Sequence, residues 1–149
     1  MRVLIATDGS DDAITAANHG FALLATPDIV TVVCVSESSV METAGLESGF
    51  GGGIAGPAEI QAEQDARDAV SRDALERTVA AITTTATVEQ RVEVGDAGHV
   101  LCLLAEDLEA DVVIVGSRGR GAIRRALMGS VSSHVVHNAP CPVVVVRLK

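Results

Sequence analysis

The sequence predicts an α/β fold: a single-domain, open, parallel five-stranded sheet with helices on both faces. Three observations carry this. Short apolar runs recur at residues 3–6, 29–35, 112–115 and 143–146, and an alternating run spans residues 87–94. Between them lie segments with apolar residues three and four apart, the spacing of helices that bury one face. Turn residues separate the two kinds of segment, and regular strand–helix alternation is the pattern of crossovers joining parallel strands.

The elements follow in order. Residues 3–6 form the first strand. Thr7-Asp8-Gly9-Ser10 is turn chemistry, with Asp8 or Ser10 placed to cap the next helix. That helix carries Ile14, Ala17, Phe21 and Leu24 as its stripe and stops before Pro27. Residues 29–35, rich in β-branched side chains, form the second strand. Residues 37–57 hold six glycines and end at Pro57, so they read as a long, flexible Gly-rich loop at the carboxyl end of that strand. Either a lid or an insertion without fixed structure fits this composition.

A long charged helix over residues 59–82 has a thin stripe of Ala62, Ala66, Val70 and Ile82. In residues 87–94, Gln90, Val92 and Val94 alternate with Glu89, Arg91 and Glu93, which suits an edge strand. Gly95-Asp96 turns the chain into a helix striped by Leu101, Leu104 and Leu108. Residues 112–115 are a buried strand ended by Gly116. The next helix begins near Val131, which places Ser130 at its N-cap. Pro140 and Pro142 then bracket the start of the last strand, 143–146. The chain shows no internal repeat and no interdomain linker, and residues 1–149 read as one domain.

Composition bounds the function. Net charge is −9, which argues against nonspecific nucleic-acid binding by charge neutralisation. With no Trp and no Tyr, the core is aliphatic. Cys34, Cys102 and Cys141 have no paired spacing and read as reduced, buried small residues. No apolar run reaches membrane-spanning length and the first residues do not form a signal peptide, so a soluble, cytoplasmic protein is expected. His19, His99, His134 and His137 lack metal-ligand spacing with nearby acids.

The charge is unevenly placed. Residues 112–149 carry six Arg and Lys and no Asp or Glu, whereas residues 1–111 carry all 20 acids. Arg118, Arg120, Arg124 and Arg125 lie in the glycine-punctuated segment between the fourth strand and the last helix. A strand, a glycine turn and a helix N-terminus together form an anion site, because backbone N–H groups and the helix dipole converge there. A basic surface loop joining strand to helix is the plainer alternative.

The spacing Gly116-x2-Gly119-x9-Gly129-Ser130 resembles the ATP-binding signature of the universal stress protein family. ADVVIVGSRGRG, GSVSSHVV and APCPVVVV are similar to that family's C-terminal half, and VLIATDGSDDA to its first strand and turn. The resemblance spans Arg2 to about Arg147 and is weakest in the middle third. It implies strand order 3-2-1-4-5, with the alternating third strand at one edge and the four-valine strand at the other. An exposed edge of that kind invites pairing with a second chain. A homodimer through residues 143–146 is therefore expected, as the family also shows.

For the site, the resemblance implies nucleotide contacts from Thr7, Asp8, Val35, Gly116, Ser117, Arg118, Gly119, Gly129, Ser130 and Val131. Asp8 corresponds to an acid beside the ribose, and Val35 to a backbone contact with adenine. Gly129 and Ser130 correspond to phosphate contacts through N–H groups and the hydroxyl. Arg118 and Arg120 either reach the outer phosphates or are solvated. A turn-and-capping role accounts for Asp8 alone equally well.

The implied ligand is ATP, with AMP or cyclic AMP as alternatives at the same site. Mg²⁺ or Mn²⁺ would accompany the phosphates rather than be held by protein side chains. The implied role is a nucleotide-dependent stress-response module with an unknown protein partner, with no nucleic-acid and no membrane partner. Occupancy would order the 37–57 loop or the dimer surface.

No catalytic residue is assigned. GxxxxGK[ST] is absent and the only lysine is Lys149, so a P-loop NTPase would lack its phosphate lysine. No GxGxxG stands after the first strand, SGGxDS and HxGH are absent, and no Ser/His/Asp set sits in a nucleophile turn. Two further readings stand beside the first. One is a slow ATPase or phosphotransferase with Asp8 holding the metal. The other is an interaction protein of the same fold that binds no nucleotide.

Overall fold

A computed structural model of the chain describes residues 1–36, 56–119 and 128–148. The strands are β1 (Arg2–Ala6), β2 (Ile29–Ser36), β3 (Thr87–Val94), β4 (Val112–Gly116) and β5 (Val143–Val146). The helices are α1 (Asp11–Phe21), α2 (Pro57–Ala80), α3 (Ala97–Asp107) and α4 (Ser130–Asn138). All strand pairs are parallel and the order is β3-β2-β1-β4-β5, the order that the resemblance implies. Most of the 37–57 loop, together with Arg120, Arg124 and Arg125, lies outside the described residues.

The alternating pleat divides the core in two. Val3, Ile5, Val30, Val32, Val112 and Ile114 face α1 and α2, where Ala17, Ala74 and Leu75 cover them. Leu4, Val33, Val113 and Val115 face α3 and α4, under Leu101, Leu104, Ala105 and Val135. Burying both faces of the central strands explains why their sequences are continuous apolar runs. The outer strands differ: β3 presents exposed Glu89 and Gln90, and the valines of β5 are half-buried. Val94, grouped with Val92 in the sequence, is 63% exposed at the end of the edge strand.

Two helical stripes differ from the predicted ones. In α1 the buried residues are Ala13, Ala16, Ala17 and Gly20. Ile14, Phe21 and Leu24 are only partly buried, so the helix lies on the sheet through its smallest side chains. The closest approach is at Gly20, where a methyl group would lie 2.5 Å from Ile114 Cγ2 and 3.0 Å from Val146 Cγ2. In α2, Ala62, Ala66 and Val70 are exposed and the buried residues are Ser71, Ala74, Leu75 and Thr78. Hydroxyl residues hide this stripe from a hydrophobicity reading. Thr78 nevertheless buries its side chain without penalty, because Oγ1 donates to the Ala74 carbonyl one turn back at 2.7 Å.

The caps account for the helix starts. Ser10 Oγ accepts from the Ala13 N–H at 3.1 Å, Asp96 from the His99 N–H at 2.9 Å, and Glu59 from the Gly56 N–H at 3.0 Å. Ser130 is the first residue of α4 rather than its cap. Gly129 occupies the cap position and offers no side-chain acceptor. The cysteines form no disulfide. Burial pushes the Cys102 thiol up, and burial with the charges of Asp111 and Cys102 does the same at Cys141, so neither is a ready nucleophile.

Gly20→Ala is expected to destabilise the chain by about 1–3 kcal/mol through overpacking against β4 and β5, although alanine favours helix more than glycine does. Urea denaturation of the two proteins measures the difference.

Candidate functional site

Right-handed crossovers send the chain from β1 outward to β3 on one side and bring it back to β4 on the other. The loops after β1 and β4 are therefore neighbours at the carboxyl end of the sheet, the place where open α/β sheets take their ligands. The loop after β1 supplies Asp8, and the loop after β4 supplies the glycines.

The first loop is fixed by its own polar groups. The Thr7 N–H continues the ladder to the Val33 carbonyl at 2.9 Å. Gly9 adopts φ +74°, which a side chain would disfavour, and its N–H donates to Thr7 Oγ1 at 3.1 Å. Asp8 Oδ1 accepts from the Ser10 N–H at 2.9 Å and the Ser10 hydroxyl at 2.6 Å. With Oδ1 engaged inside the turn, Oδ2 faces the second loop. A methyl group on Gly119 would lie 3.0 Å from it.

The second loop is closed at its base by one carbonyl. Ser117 is buried and donates its N–H to the Val146 carbonyl at 2.7 Å. Its own carbonyl accepts the Gly129 N–H at 2.8 Å and shares the Ser132 hydroxyl with the Gly129 carbonyl, each at 3.1 Å. These bonds bring the two ends of the loop together, so that Gly116, Ser117, Arg118 and Gly119 lie against the start of α4. Gly116 sits tightly in the turn: a methyl group there would meet the Arg118 carbonyl at 3.2 Å.

Gly129 is different. Its φ of −79° suits any residue, and a methyl group would find nothing closer than 3.5 Å. No packing in the described protein requires glycine there, whereas a ligand approaching the backbone would. The Gly129 N–H is committed to Ser117, so phosphate donation from that group is not available in this geometry. The first-turn N–H groups of Ser130, Val131 and Ser132 have no acceptor within the helix. They are the donors a phosphate would meet, with the positive end of the α4 dipole behind them. Ser130 is exposed, and the Val131 side chain packs against the core.

The other sequence-derived positions behave differently. Arg118 is half-buried at the loop base. The Thr7 hydroxyl is used inside the protein, bonded to Thr78 and to the Gly9 N–H. Val35 lies near the carboxyl end of β2, two residues beyond the last β1 partner, Val33, and packs against the α3/α4-side core. Ser132 escapes a sequence reading because its role depends on a carbonyl 15 residues away. Among the described residues no three His, Cys, Asp or Glu side chains are grouped to hold a metal ion, and no helix is long and apolar enough to cross a membrane.

Ser132→Ala is expected to cost about 1 kcal/mol, the value of a typical buried hydrogen bond, and to loosen the base of the glycine loop. Thermal or urea unfolding measures the first effect, and faster amide exchange at Gly129 the second.

Comparison with known proteins places this geometry in a family. Residues 1–147 match the sequence model of the Universal stress protein family. SSP1056 of Staphylococcus saprophyticus, which carries that family's name, is 31% identical over 149 residues, spanning 97% of this chain and 82% of that protein. The universal stress protein MJ0531 of Methanocaldococcus jannaschii is 27% identical over 146 residues, spanning 98% and 81%.

Among solved structures, MJ0577 superposes with a TM-score of 0.77 at 21% identity, over 99% of this chain and 96% of the other. A universal stress protein in complex with cAMP gives 0.62 at 24% identity, over 99% and 96%. A universal stress protein family member from Arabidopsis thaliana with AMP bound gives 0.65 at 18% identity, over 100% and 92%. At such identities the structures establish a shared fold. Taken with the family match over almost the whole chain, they show that the protein belongs to the universal stress protein family.

Proposed function

We propose that this chain binds an adenine nucleotide, ATP first, in the crevice between the Asp8 turn and the glycine loop. In this reading it acts as a nucleotide-dependent module of the stress response. The observation that carries the proposal is the meeting of Asp8 with Gly119 beside a helix N-terminus whose cap offers no side-chain acceptor. A bare phosphate site would avoid a carboxylate, whereas a nucleoside needs an acceptor for ribose hydroxyls as well as donors for phosphate. The cAMP and AMP found in two proteins of the same fold support the adenine class.

The pieces then have distinct roles. The N–H groups of Ser130, Val131 and Ser132 bind phosphate, Asp8 takes the ribose, and the backbone at Val35 is placed toward adenine. Gly116, Ser117 and Gly119 shape the loop, Gly129 keeps the approach open, and Arg118 adds positive charge. Mg²⁺ or Mn²⁺ enters with the phosphates, since hard cations are commonly held by phosphate oxygens and water. Occupancy, rather than turnover, is the signal passed to a partner protein. The chain works as a homodimer joined through the outer edge of β5, which among the described residues faces no other strand of the sheet.

The nucleotide content of the purified protein tests the site. Denaturation followed by chromatography of the supernatant is expected to release adenine nucleotide near one per chain. If the protein is empty and also fails to bind ATP, AMP and cyclic AMP by calorimetry, the reading falls. Gly129→Glu places a carboxylate where phosphate should sit, at a position whose backbone tolerates a side chain. It is expected to fold normally and lose nucleotide binding; retained affinity refutes the phosphate loop. Light scattering is expected to give twice the 15.3 kDa chain mass, and a monomer mass at all concentrations refutes the β5 dimer.

A further inference from the structure

Helix α2 grips the Asp8 turn with two consecutive residues. Arg77 Nη1 donates to the Gly9 carbonyl at 3.1 Å, and Nη2 to Asp11 Oδ1 at 2.6 Å. Thr78 Oγ1, fully buried, lies 2.9 Å from Thr7 Oγ1. The direction of that bond follows from counting protons. Thr78 gives its single hydroxyl hydrogen to the Ala74 carbonyl, so Thr7 is the donor to Thr78. Thr7 Oγ1 also accepts the Gly9 N–H.

The turn is thus held from outside on both sides of Asp8. The preceding residue is held by its hydroxyl and the following residue by its carbonyl. The Arg77–Asp11 ion pair is exposed, with the Asp11 side chain 90% accessible, and contributes little. The bond to the partly buried Gly9 carbonyl is the stronger restraint, because it is charge-assisted and fixes the peptide of a residue at positive φ. Rotation of that peptide would swing the Asp8 carboxylate away from Gly119.

We infer that Arg77 and Thr78 are positioning residues for the nucleoside end of the ligand, and that α2 is thereby coupled to occupancy of the crevice. The inference rests on the nucleotide reading above and extends it from the two loops to a helix that does not line the phosphate loop. Coupling is reciprocal: a ligand that steadies the Asp8 turn also steadies the inner turns of α2.

Arg77→Met in the full chain tests this, because the Arg77 side chain is 45% exposed and the fold does not depend on its burial. Calorimetric titrations of wild type and variant would use ATP and inorganic tripolyphosphate. Tripolyphosphate needs only the glycine loop and the start of α4, whereas ATP also needs Asp8. The expected result is about tenfold weaker ATP binding with tripolyphosphate binding unchanged, within the usual range of coupling between linked sites. Arg77→Lys, which reaches only one of the two acceptors, should fall between them. Equal weakening of both ligands, or no weakening of ATP, overturns the inference while leaving the nucleotide reading in place. A wild-type protein that binds neither ligand overturns both.

Discussion

The handedness of the crossovers between parallel strands is the constraint on which the rest of this structure depends. Because each crossover turns the same way, α1 and α2 cover one face of the sheet and α3 and α4 the other. Strand β1 becomes the point from which the chain winds in opposite directions. The two loops that follow β1 and β4 therefore lie side by side. Asp8 and Gly119 are 111 residues apart in sequence and meet because this topology leaves the crevice open. The acid and the glycine loop are consequences of one rule about chain winding, and the turn chemistry then refines them.

A second constraint comes from the aliphatic core. With no Trp or Tyr and only two Phe, the helices have few large rings to fill wide gaps, so they sit close to the sheet and to each other. Gly20 lets α1 rest on Ile114, and Gly98 lets α3 approach α4, where a methyl group would lie 2.8 Å from the His134 side chain. The second contact matters for the site. Helix α4 carries the first-turn N–H groups at its open end, and its position is set by α3 on one side and by the Ser132–Ser117 bond on the other. A stiff support keeps those donors in place before any ligand arrives, so that little ordering is left for binding to drive.

Much of this was legible in the sequence because the signals are local. Apolar runs mark four strands and an alternating run the fifth, Ser10 marks a cap, and the spacing of Gly116, Gly119 and Gly129 marks the loop. The misreadings share a cause: they concern residues whose partners are distant. Hydroxyls in the buried stripe of α2 look polar until Thr78 is seen bonded to its own helix and to Thr7. Ser130 resembles a cap, but the cap position falls to Gly129, whose N–H closes the loop onto Ser117. Arg77 reads as one more charge on a solvated helix, since nothing in its neighbourhood announces Gly9, 68 residues earlier. Periodicity reports which face is apolar; it does not report where a hydroxyl or a guanidinium finds its acceptor.

The exposed outer part of α2 has a consequence for how this protein responds to heat. From residue 58 to residue 70 only Arg67 is even half-buried, while the inner turns are anchored by Ala74, Leu75 and Thr78. A segment of that length, rich in Ala, Glu, Gln and Asp, is marginal as an isolated helix, because nucleation is costly. Here the anchored turns supply the nucleus, and the outer turns propagate from it with modest help from pairs such as Gln61 with Asp65. Helix–coil equilibrium is therefore expected to operate within a folded domain, with warming shortening α2 from its outer end before the sheet lets go.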